Sequence, residues 1–370
     1  QHRISSLIYS GIFNSRTGVN NTNQFSVGQD ITRSADPANG SIQKLYAEDT
    51  NLIIFQEDKV SKALIDKDAI YSAEGNASIT SSLQVIGQIV AYAGEYGIST
   101  NPESFAVYGY RKYFTDKKRG AVLRLSRDGM TEISSYGMHD FFRDELADAT
   151  KVVGGWNSHT KDYVLSLQTN SDYKTATFDE GVLGWTSFSS YKPSHIFSLS
   201  NVFYTFNQDV DINNNLGRLY QHYLGPYAKF YGVTYGSDVT IVLNSNPSVV
   251  KNFKTINYEG GPGWELESMV ASSTDKTLPI GKYVFQENLA SLENQIWSNT
   301  FKKKEDKYFA NLINNSPATN GEILYGADMS GIKGFYSTVK MSISPITQFD
   351  TSAIKKELFS VSSDVVESSY

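Results

Sequence analysis

The 370-residue chain contains no cysteine. Disulfides, thiolate nucleophiles and zinc–thiolate sites are thereby excluded, and the composition fits folding in a reducing cytoplasm. Charge is scarce as well, at 19% of residues, with 33 Lys and Arg against 39 Asp and Glu. A net charge of −6 argues against a dedicated nucleic-acid binder, though not against a surface past which DNA slides without sticking. No apolar run approaches the ~20 residues that span a bilayer, so no membrane insertion is expected, and no signal segment opens the chain. There is no phosphate loop, dinucleotide fingerprint, HExxH or nucleophile elbow. The sequence therefore points away from an enzyme and implies no cofactor.

Aromatic residues are abundant: 24 Tyr and 20 Phe. Such residues suit strands and buried contact surfaces, which favours an all-β assembly protein over a helical enzyme. The clearest pattern runs from Lys174 to Tyr223. There TATF, VLGWTSF, HIFSL, VFYTF and GRLYQHY alternate with polar turns such as Asp179-Glu180-Gly181 and Ser200-Asn201. In VFYTF one face carries Val202, Tyr204 and Phe206 and the other Phe203 and Thr205. A period of two between turn residues predicts antiparallel strands. Large residues on both faces require cover on both sides, as in stacked propeller blades or the inner strands of a sandwich.

The length predicts two domains, and the start at Gln1 rather than Met suggests a processed product or a segment of a longer polypeptide. Residues 1–40 read as an irregular arm. Four β groups follow, beginning near residues 41, 104, 151 and 195, with a short amphipathic helix at 138–147. Residues 78–97 are expected to be loop with a possible short helix, because Leu83, Ile86, Val90 and Ala93 share a helical face while Gly87, Gly94 and Gly97 weaken it. The spacing of the groups approaches the ~40–50 residues of a propeller blade, with a β-sandwich of irregular hairpins as the alternative. The expected fold is mainly β: propeller-like antiparallel blades over 41–235, then a second β-rich domain over 236–370 with a long polar insertion at 271–300.

Candidate sites are few. His2, His139, His159, His195 and His222 show no metal-ligand spacing and read as surface or packing residues. Asp209, Asp211 and Asn213 resemble the start of a calcium loop, but Asn214 stands where Gly is wanted and Tyr220 where a bidentate Glu is wanted. An Asn-rich hairpin tip accounts for the same residues. Asp179 and Glu180 are the most visible carboxylate pair, yet neighbours on a tight turn point apart and read as turn residues rather than as an acid and a nucleophile. The basic runs from Arg111 to Arg119 and from Lys302 to Lys307 are interrupted by Asp116, Glu305 and Asp306 and read as solvated hairpin tips.

Several long motifs also carry a resemblance. GSIQKLYAEDTNLIIFQEDKVSKALIDKDAIY (40–71), AGEYGISTNPESFAVYGYRKYFTDKKRGAVLRLSRDGMTEIS (93–134), TFDEGVLGWTSFSSYKP (177–193) and NPSVVKNFKTINYEG (246–260) look like the muzzle protein of crAss-like bacteriophages. KKKEDKYFANLIN (302–314), SGIKGFYSTVKMS (330–342) and KELFSVSS (356–363) extend the resemblance to the end of the chain. That family is similar in role to the nozzle, or tail tubular protein B, of other short-tailed phages. The resemblance implies a non-enzymatic virion protein, made in the host cytoplasm and assembled as a homo-hexameric ring at the distal tail. Its implied partners are other tail ring and hub proteins, with genomic DNA passing non-specifically through the channel. It also implies a propeller-like domain and supplies no catalytic residues. A second reading is a host-surface glycan-recognition or glycan-processing module, which exposed Trp and Tyr beside convergent carboxylates would favour. Trp156 and Trp185 fall in expected strands, whereas Trp264 and Trp297 lie in or beside loops.

If the Asp209–Gly217 stretch is a hairpin tip, a calcium chelator leaves the thermal midpoint unchanged. A drop restored by calcium, and absent from an Asp209→Ala, Asp211→Ala double variant, would reverse that assignment.

Overall fold

The computed structural model describes residues 3–11, 13–25, 31–49, 51–71, 77–207, 217–272, 284–285, 300–312, 331–343 and 355–368. The chain is mainly β, with 55% strand against 6% helix, and it divides into two units, Gln1–Tyr223 and Leu224–Tyr370.

The first unit contains four antiparallel meanders, each built from strands consecutive in sequence. Sheet one comprises β1 (Ile42–Glu48), β2 (Asn51–Gln56), β3 (Val60–Tyr71) and β4 (Ala77–Ala91). Sheet two comprises β5 (Ala106–Tyr108), β6 (Arg111–Asp116), β7 (Ala121–Ser126) and β8 (Gly129–Glu132). Helix α1 (His139–Asp148) follows, with Phe142 and Leu146 buried on its apolar side. Sheet three comprises β9 (Lys151–Asn157), β10 (Asp162–Gln168), β11 (Tyr173–Asp179) and β12 (Gly184–Ser189). Sheet four has three strands, β13 (His195–Leu199), β14 (Val202–Asn207) and β15 (Arg218–Gln221).

Alternation along the strands explains how these sheets meet. In β6 and β7, Phe114, Leu123 and Leu125 point toward sheet one and join Ile53, Phe55 and Val60. Their neighbours Tyr113 and Val122 point the other way and join Val152, Trp156, Tyr163 and Leu165 of sheet three with Phe142 and Leu146 of the helix. Both faces of sheet two are thus core, and the six-residue strand β6 is buried from Lys112 to Asp116. Sheet three likewise has a second face, where Gly155 meets Ile196 of sheet four. The far side of sheet one is covered by the arm: Leu7 and Tyr9 pack on Ile54, Ala63 and Ile86. In the arm, Ser6–Ile8 pairs with Thr32–Ser34.

Residues 78–91 depart from the loop expected for 78–97. They belong to β4, which pairs antiparallel with β3, with register shifts around Ile65. Such irregularities break the strict period of two, and tertiary pairing with β3 outweighs the helical spacing of Leu83, Ile86 and Val90.

The second unit is built around a separate core. β16 (Ser237–Leu243), β23 (Ser337–Ile343) and β19 (Glu265–Ala271) form one sheet in that order. A second sheet orders Val284–Phe285, β20 (Thr300–Lys304), β21 (Lys307–Asn311), β18 (Thr255–Gly260) and β24 (Leu358–Ser362). Ile256, Tyr258, Phe301 and Tyr308 from this sheet meet Leu266, Met269, Val339 and Met341 from the first. A third, small sheet sets β17 (Lys251–Phe253) between β22 (Ile332–Gly334) and β25 (Val365–Glu367). Most of the polar insertion expected at 271–300 lies outside the described residues.

Two consecutive glycines allow close approaches on both sides of sheet three. A Cβ on Gly154 would lie 2.1 Å from the Ser104 carbonyl oxygen, and one on Gly155 would lie 2.2 Å from Ile196 Cγ2. Gly184, by contrast, has nothing within 4 Å of its Cβ position. Gly154→Ala and Gly155→Ala are expected to cost about 1–3 kcal/mol each through overpacking, with Gly184→Ala within ~0.5 kcal/mol of wild type. Denaturant unfolding of the three variants measures this, and equal midpoints would disprove the packing argument.

Candidate functional site

Successive turns of a meander alternate between the two ends of its strands, so the polar residues of the first unit collect at two ends of the stack. At one end, Glu180 lies in the turn after β11 with its side chain only 12% exposed. It accepts a hydrogen bond from the Tyr113 hydroxyl at 2.6 Å and another from Arg124 at 2.9 Å, with Arg111 at 3.9 Å. This carboxylate ties the tip of sheet three to sheet two. Burial, followed by the bond to Glu180, raises the Tyr113 phenol far above its ordinary range, so it remains a neutral donor. The neighbouring Asp179 instead accepts from the backbone N–H of Gly181 at 2.5 Å and of Val182 at 3.4 Å. The pair therefore serves two separate structural purposes.

Strand register brings together one carboxylate pair that spacing had not suggested. Asp162 stands opposite Asp179 across β10 and β11. Burial, with a further contribution from the Asp179 charge, raises the Asp162 carboxyl above its usual range. A substrate would need access to it, and Asp162 is only 8% exposed.

At the other end, Asp116 is fully buried and accepts from Gly97 N at 3.0 Å, Ser99 Oγ at 2.8 Å and Arg119 Nη1 at 3.0 Å. Lys118 bonds Glu57 at 3.0 Å and Asp58 at 3.1 Å, and Lys117 Nζ donates to the Ala149 carbonyl at 2.6 Å. Lys112, in the same basic run, is buried and paired with Glu48. Lys118 and Arg119 remain exposed at the hairpin tip, yet the run is also latched to sheet one and to the helix C-terminus, because acidic residues about sixty positions earlier lie beside it. In the second run, Lys302 and Lys304 are exposed, Lys303 sits 5.6 Å from the Tyr308 ring centre, and Lys307 pairs with Glu259 at 2.7 Å.

The histidines are dispersed. His159 stacks on Tyr223 at 4.0 Å, His139 and His195 are exposed, and His2 lies outside the described residues. His222 packs against Tyr191 and Phe203, with Nε2 2.7 Å from Thr205 Oγ1. Burial pushes its imidazole down to about 4. No three His, Asp or Glu side chains converge as a cation site among the described residues. Asp209, Asp211 and Asn213 lie outside them. An open depression of about 600 Å³ between the arm and sheet one is lined by Arg33, Asp36, Asn39, Ser61 and Gln88. Trp156 and Trp264 are buried. Trp185 and Trp264 donate their indole N–H to the carbonyls of Ile133 and Glu357, and Trp297 lies outside the described residues. The described tryptophans thus serve packing and backbone contacts.

Two groups make stability depend on staying deprotonated, over different pH ranges. His222 is held neutral, so its contribution is complete above pH ~6.5 and is lost as pH falls toward about 4, costing on the order of 2 kcal/mol. Glu57 is lowered to about 2, first by the Ser41 hydroxyl, then by the Ser41 N–H and Lys118. Its contribution is present above pH ~4.5 and lost as pH falls through about 2; for so solvated a group it is about 1 kcal/mol. Unfolding free energy measured against pH is expected to lose its slope between 6.5 and 4 in His222→Gln and below 4.5 in Glu57→Gln. Wild-type slopes in both variants would refute the assignments.

Comparison with curated proteins gives no match. Residues 225–315, spanning β16 to β21, match the family model described as the crassvirus muzzle protein C-terminal domain. The match falls within the second unit and includes NPSVVKNFKTINYEG and KKKEDKYFANLIN, and it agrees with the resemblance those motifs carry. The match supports a muzzle protein of a crAss-like phage, a structural component of the virion.

Proposed function

We propose that copies of this chain form a six-fold ring at the distal end of the phage tail, and that the ring is a passive conduit through which genomic DNA leaves. The observation that carries this reading is the muzzle-domain match at residues 225–315. The charge chemistry agrees with it. In the first unit, Glu180, Asp116, Glu57, Lys112 and Lys118 are engaged in contacts between successive sheets, which suits a rigid wall better than a reaction centre. On this reading the four meanders act as propeller-like blades, the protein is not an enzyme, and other ring and hub proteins of the tail are its neighbours.

A conduit works best without affinity for its cargo. Six copies at −6 each give a ring of about −36, whose field repels phosphate over roughly a Debye length of ~8 Å. The latched Lys117–Arg119 run offers few free cations, and the exposed Lys302 and Lys304 are assigned to surfaces away from the bore. Mass photometry of the purified protein is expected to show a six-fold species. Filter binding at 150 mM salt is expected to show only weak, unsaturable duplex-DNA retention that disappears as salt rises. Tight, saturable DNA binding by the ring would overturn the conduit reading, and a strictly monomeric chain would overturn the ring.

A further inference from the structure

Among the described residues, one side of sheet four is left uncovered. Its inner face holds Ile196, Phe203 and Thr205, all buried; Ile196 lies against Gly155 of sheet three, and Ser198 donates to the Trp156 carbonyl at 2.6 Å. Strand register places Phe197 opposite Tyr204, Leu199 opposite Val202, and Phe206 opposite Leu219. Alternation turns all six of these to the outer face, flanked by His195 and Gln221. Phe197 and Tyr204 stack at 5.6 Å, yet Leu199 is 64% and Leu219 57% exposed, and the other four are only partly buried. Among the described residues of the three strands, no Asp, Glu, Lys or Arg lies on this face. The far side of sheet one, at the other end of the series, is covered by Leu7 and Tyr9 of the arm. Among the described residues, sheet four has no equivalent cover.

Resting on the ring reading above, we propose that this outer face of sheet four is a contact between subunits, covered in the assembly by a neighbouring copy of the same chain. The occupant must be apolar, because an uncharged face of this composition gains nothing from a charged partner. An uncharged contact also lets two chains of net −6 meet without placing like charges opposite one another. The area sets a limit on the arrangement. Strand length and spacing give a face of roughly 19 by 14 Å, well under the ~800 Å² per partner of a stable stand-alone interface. It is therefore one part of a larger contact, such as a closed ring supplies and a free dimer does not.

The absence of cysteine makes the test direct, since Tyr204→Cys carries the chain's only thiol and can be labelled with a benzophenone maleimide. Photolysis of the assembled protein is expected to give covalent dimers. Leu199→Lys, at an exposed turn where folding is not at risk, and Tyr204→Lys are expected to raise the concentration for half-assembly at least tenfold. Tyr204→Phe is expected to leave it unchanged, and circular dichroism is expected to match wild type throughout. If Leu199→Lys and Tyr204→Lys both assemble as wild type, or if cross-links form only within one chain while the ring persists, this contact is refuted and the ring reading stands. A wild-type chain that stays monomeric and cross-links only internally refutes both.

Discussion

The first unit depends on strands that are apolar on both faces. Tyr113 and Phe114 are adjacent in β6 and both fully buried, so they require cover from opposite directions. A single two-layer sandwich leaves one face of each sheet in water; here sheet two is enclosed by sheet one and sheet three. The Gly154-Gly155 pair then decides how closely the series packs, because any Cβ at these positions would meet Ser104 or Ile196. Aromatic stacking follows from the same geometry, with Tyr108, Trp156, Tyr113 and Tyr163 forming one column between sheets two and three.

Charge is used in the same way, to fix the ends of the stack. Glu180 holds Tyr113 and Arg124, and Asp116 with Glu57 holds the 97–99 segment, Ser41 and Lys118. These contacts join residues 16 to 67 positions apart. Sheets joined both by apolar faces and by polar turns have little freedom to slide, which is a useful property in a virion part that must keep its shape. The second unit relies more on its core. There Tyr258 stacks on Tyr308 at 4.7 Å, and Trp264 donates to the Glu357 carbonyl.

The period of two in VFYTF, the polar turns and the amphipathic spacing of Phe141, Phe142 and Leu146 were all legible, because each is a local property of a few residues. The four β groups begin at Ile42, Ala106, Lys151 and His195, close to the starts their turns suggested. β4 was not legible, since the register shifts around Ile65 remove the alternation that marks a strand. The pairing of the Arg111–Arg119 run was not legible for a similar reason. Hairpin-tip lysines look solvated in isolation, and only chain folding brings Glu48, Glu57 and Asp58 beside them.

Composition and local pattern alone determined a mainly β, cysteine-free chain, and the long motifs carried its resemblance to phage muzzle proteins. These need only side-chain chemistry and nearest-neighbour geometry. Tertiary structure alone decided that sheet two is enclosed on both sides, that Glu180 rather than Asp179 joins the sheets, and that the outer face of sheet four is left open among the described residues. Each of these depends on which distant segment covers a given face, and the path of the chain through space sets that.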